Sequence, residues 1–105
     1  MNGECVINVA EQFTDAPGGR YRKDGDFSGE EFREEYLEKL FNMCETLTVI
    51  LDGAYGYPTS FLEEAFGGLV RKYGRSIVRS KLKFISSEDP LLTERIHKYI
   101  DSAEQ

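Results

Sequence analysis

One run of oxygen-bearing side chains matches a calcium site. Asp24, Asp26 and Ser28, then Gly29 and Glu35, place ligand atoms at the first, third, fifth and twelfth positions of an EF-hand loop, with glycine at the sixth. An EF-hand also needs an incoming helix, and here Pro17-Gly18-Gly19 precedes the loop. Its eighth position, normally apolar, is Glu31. Ser28 and Glu31 read instead as a capping box at a helix start, so no metal site is predicted. Cys5 and Cys44 stand 39 residues apart without nearby cysteine or histidine partners and read as buried free thiols. His97, the one histidine, is flanked by Ile96 and Lys98 and is expected near the surface. Gly18-Gly19 has neither P-loop nor Rossmann spacing. The acidic run Glu30, Glu34, Glu35, Glu38 is expected to be a solvated helix face. These residues supply no nucleophile–base pair and no cofactor cradle, so the chain reads as non-enzymatic and cofactor-free.

The segment from Asp52 to Phe61 is the remaining candidate. It joins the end of a strand to the start of a helix, where α/β proteins place ligands and where helix N–H groups attract anions. Tyrosines combine large apolar area with a polar tip, which suits a binding hot spot. A protein partner is therefore expected over Asp52, Tyr55, Tyr57, Thr59 and Phe61. Ser60, with Glu63 three residues on, reads as the N-cap of the helix.

The elements that position this segment follow from hydrophobic period. Cys5–Ala10 is β-branched and partly alternating, a first strand. Thr14–Phe27 is a glycine-rich loop with room for a short strand near Tyr21. Phe32, Tyr36, Leu37, Leu40, Phe41 and Cys44 mark one helix face over 29–44. Leu47–Leu51 is nearly continuous, a central strand buried on both faces. A second helix spans 60–73, where Gly67 and Gly68 suggest close packing on a strand and Gly74 ends the helix. Leu82–Ile85 is a third strand, and a last helix covers 90–102. The alternation predicts one α/β domain over 1–105, with about four strands, mostly parallel or mixed, under about three helices.

Composition limits the function. The 105 residues are 40% hydrophobic and 30% charged, ordinary for a globular domain. The net charge of −6 gives no basic stripe for nucleic acid; the densest basic stretch is Arg20, Arg22 and Lys23 around Tyr21. No run approaches the ~20 apolar residues of a membrane span. Met1-Asn2-Gly3-Glu4 has no basic n-region or apolar run, so a cytoplasmic location is expected.

Val49-Ile50-Leu51-Asp52-Gly53, the run Thr59-Ser60-Phe61-Leu62-Glu63-Glu64-Ala65-Phe66-Gly67-Gly68-Leu69, and upstream Ser28-Gly29-Glu30 with Phe32-Arg33 resemble the bacterial STAS-like domain family of unknown function. More distantly, strand–turn–Ser/Thr–helix is similar to STAS domains of anti-sigma factor antagonists. In that group a serine at the helix start is phosphorylated by a partner ATPase of histidine-kinase type, and the unphosphorylated form captures the partner. The group's Asp-Ser-Ser/Thr-Gly motif aligns with Pro58-Thr59-Ser60-Phe61, with Pro58 in place of the aspartate and Phe61 in place of the glycine. The resemblance implies Thr59 or Ser60 as phospho-acceptor and a signalling role through protein–protein interaction. The alternative is a ligand- or stress-sensing subunit of a larger complex, such as a defence system, with no covalent switch.

Overall fold

Three parallel strands and five helices make up the described residues, 2–104, of the computed structural model. They are β1 (Asn2–Asn8), α1 (Val9–Gln12), α2 (29–43), β2 (Cys44–Ile50), α3 (59–73), α4 (Arg75–Lys81), β3 (Leu82–Ile85) and α5 (Pro90–Ser102). Both long helices contain a π-helical stretch, Arg33–Leu37 in α2 and Glu63–Gly67 in α3.

The strand order is β1-β2-β3, with Val6 opposite Thr48 and Thr48 opposite Lys83. The expected fourth strand near Tyr21 is absent among the described residues; Arg22–Asp24 forms a 3₁₀ turn instead. The loop is held against the start of α2, whose free donors it satisfies: Gly29 N–H bonds Gly19 O at 2.9 Å and Glu30 N–H bonds Arg20 O at 3.0 Å. The first strand ends at Asn8 rather than Ala10, because the Asn8 side chain accepts from Glu11 N–H at 3.1 Å and caps α1. The helix α4 was not foreseen. It buries only Val78, and Arg75, its first residue, donates to Ile100 O and Ala103 O, completing the carbonyl end of α5.

β2 is central, with Leu47 and Val49 fully buried, and Leu51 just beyond it is buried as well. Its alternate residues Thr46, Thr48 and Ile50 are only half-buried, so one face is covered, not both as expected. Successive right-handed crossovers between neighbouring parallel strands put their helices on the same side. At the start of α2 the serine half of the predicted capping box is present, Ser28 Oγ accepting from Glu31 N–H at 3.0 Å, while the Glu31 carboxylate accepts from Phe27 N–H, one residue before the cap, at 3.2 Å. Gly29 lets α2 approach α3 closely, since a Cβ there would lie 2.5 Å from Phe61 O.

The cysteines correct the expectation of free thiols: Cys5 and Cys44 are joined in a disulfide. β1 and β2 are parallel neighbours, and the Cα atoms of Cys5 in β1 and Cys44 at the head of β2 lie 6.0 Å apart. A bond closing a loop of 39 residues stabilises by about 4 kcal/mol in the chain-entropy account. Reductant, or Cys44→Ser, is therefore expected to lower the melting temperature by more than about 10 °C. A melting curve indifferent to reductant would remove the bond from the native state.

Candidate functional site

The chain leaves β2 through the buried Leu51 and enters a turn clasped from the opposite loop. The Asp52 carboxylate accepts from Ser87 N–H at 3.1 Å and from Glu88 N–H at 2.9 Å. The Glu88 carboxylate returns a bond, accepting from Gly53 N–H at 2.8 Å. Gly53 holds φ at +94°, a region that favours glycine. Tyr55 N–H donates to Asp15 O at 2.8 Å, tying the turn to the long loop as well. These bonds frame a cavity of about 230 Å³ at the carboxyl ends of β2 and β3, lined among others by Tyr55, Tyr57, Glu88, Asp89 and Arg95.

Tyr57 is half-buried beneath this turn and donates its hydroxyl to Leu51 O at 2.9 Å. Burial, and then the negative charge of Asp52 and Glu88, push its ionisation well above the usual phenol range. Tyr55 is 89% exposed at the rim, and Thr59 is exposed as the first residue of α3. Tyr55, Tyr57 and Thr59 thus share the carboxyl end of β2, as the sequence suggested. Asp52 is there too, with its carboxylate committed to the clasp.

Two assignments are corrected. Phe61 is fully buried and stacks on Phe32 with ring centroids 5.8 Å apart, so it belongs to the core and offers no surface to a partner. Ser60 does not cap α3. Pro58 occupies the N-cap position with no side-chain bond, and Leu62 N–H donates to Pro58 O at 3.2 Å. The residue expected to complete the capping box, Glu63, is bonded elsewhere, to Arg20 at 2.5 Å and Arg71 at 2.7 Å.

Those bonds belong to a charge network that sequence reasoning missed. Arg33, only 13% exposed in its side chain, reaches Glu64 at 2.8 Å, Glu38 at 2.6 Å and Glu64 O at 3.2 Å. Lys72 also pairs with Glu38, at 2.7 Å. Burial alone would lower the Arg33 guanidinium's proton affinity, but its bonds to Glu64 and Glu38 raise it above the ordinary value. The Arg71 hydrogen bond, with Arg20's against the opposing effect of burial, holds the Glu63 carboxyl below its usual range. Gly68 makes room for Arg33, whose side chain a Cβ would overlap, and Gly67 does the same for Glu63; neither packs on a strand. The signal was Glu64 itself, three residues from Phe61 on the inward face of α3, where an acid needs a base.

The supposed calcium ligands are dispersed among other tasks. Ser28 caps α2, and Glu35 is bonded to Arg22 at 3.0 Å and to Lys39 at 3.3 Å, which lowers its carboxyl's pKa. The acidic face of α2 is largely paired rather than merely solvated, since Arg22 also holds Glu34 at 3.1 Å. His97 is half-buried, not on the surface, with its ring edge-on to Phe84 at 5.6 Å.

Two outcomes follow from this geometry. Because the folded Tyr57 hydroxyl ionises at higher pH than the unfolded one, its contribution is complete below about pH 10 and is lost as pH rises beyond that. Tyr57→Phe should cost about 1 kcal/mol at neutral pH and make the alkaline fall in stability shallower; equal slopes in urea melts would assign that fall to other groups. Gly68→Ala gains about 1 kcal/mol of helix propensity, yet it displaces Arg33 from a buried pair whose disruption costs about 3–5 kcal/mol. A net loss of about 2–4 kcal/mol is expected in denaturant unfolding, and unchanged stability would mean that Arg33 can move aside freely.

Comparison with known proteins yields no significant match among curated proteins and none among solved structures. A family profile described as a STAS-like domain of unknown function matches residues 28–92, from the cap of α2 through β3 to the first turn of α5. The match spans more than half of the chain, including α2, β2, α3, α4 and β3, and the chain belongs to this STAS-like domain family.

Proposed function

We propose that this domain is a non-catalytic regulatory module that binds a protein partner over the turn from Tyr55 to Thr59. The observation that carries the reading is Tyr55, 89% exposed at the rim of a cavity on a turn that the Asp52–Glu88 clasp keeps rigid. A preordered turn loses little entropy on binding. At about 230 Å³ the cavity is smaller than the ~300–1,000 Å³ of small-molecule sites. That size suits a side chain of a partner better than a free ligand.

The covalent switch is placed on Thr59, with a histidine-kinase-type ATPase as the partner that phosphorylates it. Thr59 is exposed, its hydroxyl makes no hydrogen bond among the described residues, and α3 begins without a side-chain cap. A phosphate there would carry about −1.5 to −2 charges. The helix tolerates that charge through its free N–H groups and dipole, whereas a partner surface that must shed water to dock does not. Ser60, half-buried and one residue further into the helix, is the poorer acceptor.

Thr59→Glu and Tyr55→Ala are each expected to weaken binding of a histidine-kinase-type ATPase captured with this domain by at least about tenfold, with melting temperatures unchanged. Ser60→Ala should alter neither quantity, because no cap is lost. Normal binding by both Thr59→Glu and Tyr55→Ala would place the partner surface elsewhere.

A further inference from the structure

All the helical cover of the sheet lies on one side. Ile7, Leu47, Val49 and Leu82 point into the helix layer and are buried. The opposite face carries Val6, Ile50 and Ile85 among the polar Asn8, Thr46 and Thr48, and none of these is buried. Val6 is 57% exposed and Ile85 43%. Parallel sheets are ordinarily covered on both faces, and a face left in water with Val6 and Ile85 exposed among threonines marks a candidate interaction site.

We infer that this bare face docks one amphipathic helix of a partner protein. Size selects that occupant. β1 and β2 each have 7 residues and β3 has 4. At about 3.3 Å per residue and 4.8 Å between strands, the face is about 23 Å long and 14 Å wide, or roughly 320 Å². A helix of about 15 residues is about 23 Å long and 10–12 Å across, which matches that outline. A second copy of this chain would need about 800 Å² from each side for a stable dimer, more than twice what the face offers, and each copy brings a net charge of −6. A single helix seated on about 320 Å² docks as a weak, transient partner.

Charge placement refines the partner. Glu4 lies along the β1 side of the face and Lys83 along the β3 side, both exposed. The matching helix has an aliphatic stripe at three- and four-residue spacing, a basic residue on the flank facing β1 and an acidic one on the flank facing β3.

The test uses a synthetic helical peptide of about 15 residues with a leucine stripe at that spacing, one lysine flank and one glutamate flank. Binding to the whole domain is read by fluorescence anisotropy and mapped by amide chemical shifts. The expected result is saturable binding with shifts at Val6, Thr48, Ile50 and Ile85. It should weaken at least about tenfold in Val6→Lys and in Ile85→Lys. Both sites are already exposed, so these variants should keep the wild-type melting temperature. Leu91→Lys, at a 66% exposed position on α5, should bind the peptide as wild type does. The inference is overturned if the peptide does not bind, if it binds all variants equally, or if its shifts map to another surface. It is also overturned if sedimentation shows wild-type dimers that Val6→Lys dissociates, since a second copy would then cover the face.

Discussion

A nearly buried arginine sets the terms for the helix layer. Arg33 projects from α2 with its side chain only 13% exposed, and such a charge is tolerable inside a protein only when it is paired and hydrogen-bonded. Glu64 and Glu38 meet that need, and the room for it comes from the missing side chain of Gly68. The pair joins the π-helical stretch of α2 to that of α3. π-helical turns are uncommon and costly, and they occur where a helix must widen to aim a group. Arg20 extends the network to the long loop through Glu63, so the loop, α2 and α3 are fixed together by charges that would be expensive to separate.

The position of α3 in turn decides where the candidate turn lies. The N-terminus of α3 follows Pro58, and the preceding residues are held from the other side by the Asp52–Glu88 clasp. Each end of the turn is thus anchored to a different element, one to the helix layer and one to the loop after β3. Tyr57 fills the space beneath with its hydroxyl on Leu51 O. The exposed side chains, Tyr55 and Thr59, are therefore presented by a backbone with little freedom, as is usual for binding loops on rigid scaffolds.

Local chemistry was legible in the sequence, and distant chemistry was not. The strands at 47–51 and 82–85 and the helices over 29–44, 60–73 and 90–102 follow from hydrophobic period, and the structure places them within a few residues of those bounds. The same capping-box pattern held in its serine half at Ser28–Glu31 and failed at Ser60–Glu63. The difference lies in Glu63, whose carboxylate is captured by Arg20, a residue 43 positions earlier. The Cys5–Cys44 bond and the Arg33–Glu64 pair are of the same kind, contacts between residues that only the tertiary fold brings together. The helix α4 was missed because its seven residues include Ile77 and Val78, weak helix formers, and bury only one side chain. Within the candidate site, the turn was readable from its tyrosines and its place after a strand, whereas the burial of Phe61 depended on the rings of α2 meeting it.

The one-sided sheet explains why the helix layer is so demanding. Three strands give a floor about 14 Å wide, while packed helices need about 8–10 Å each between axes. Two helices already exceed the floor, and α2, α3, α4 and α5 all contribute to the same core. Helices that cannot all rest on the sheet must rest on one another. That requires close approaches, such as Gly29 against the Phe61 carbonyl, and polar joints, such as Arg33 in the space left by Gly68. With the helices of the described residues crowded on one side, the domain holds its specificity of packing in a charged helix layer and leaves the outer face of the sheet, aliphatic side chains among polar ones, open to solvent.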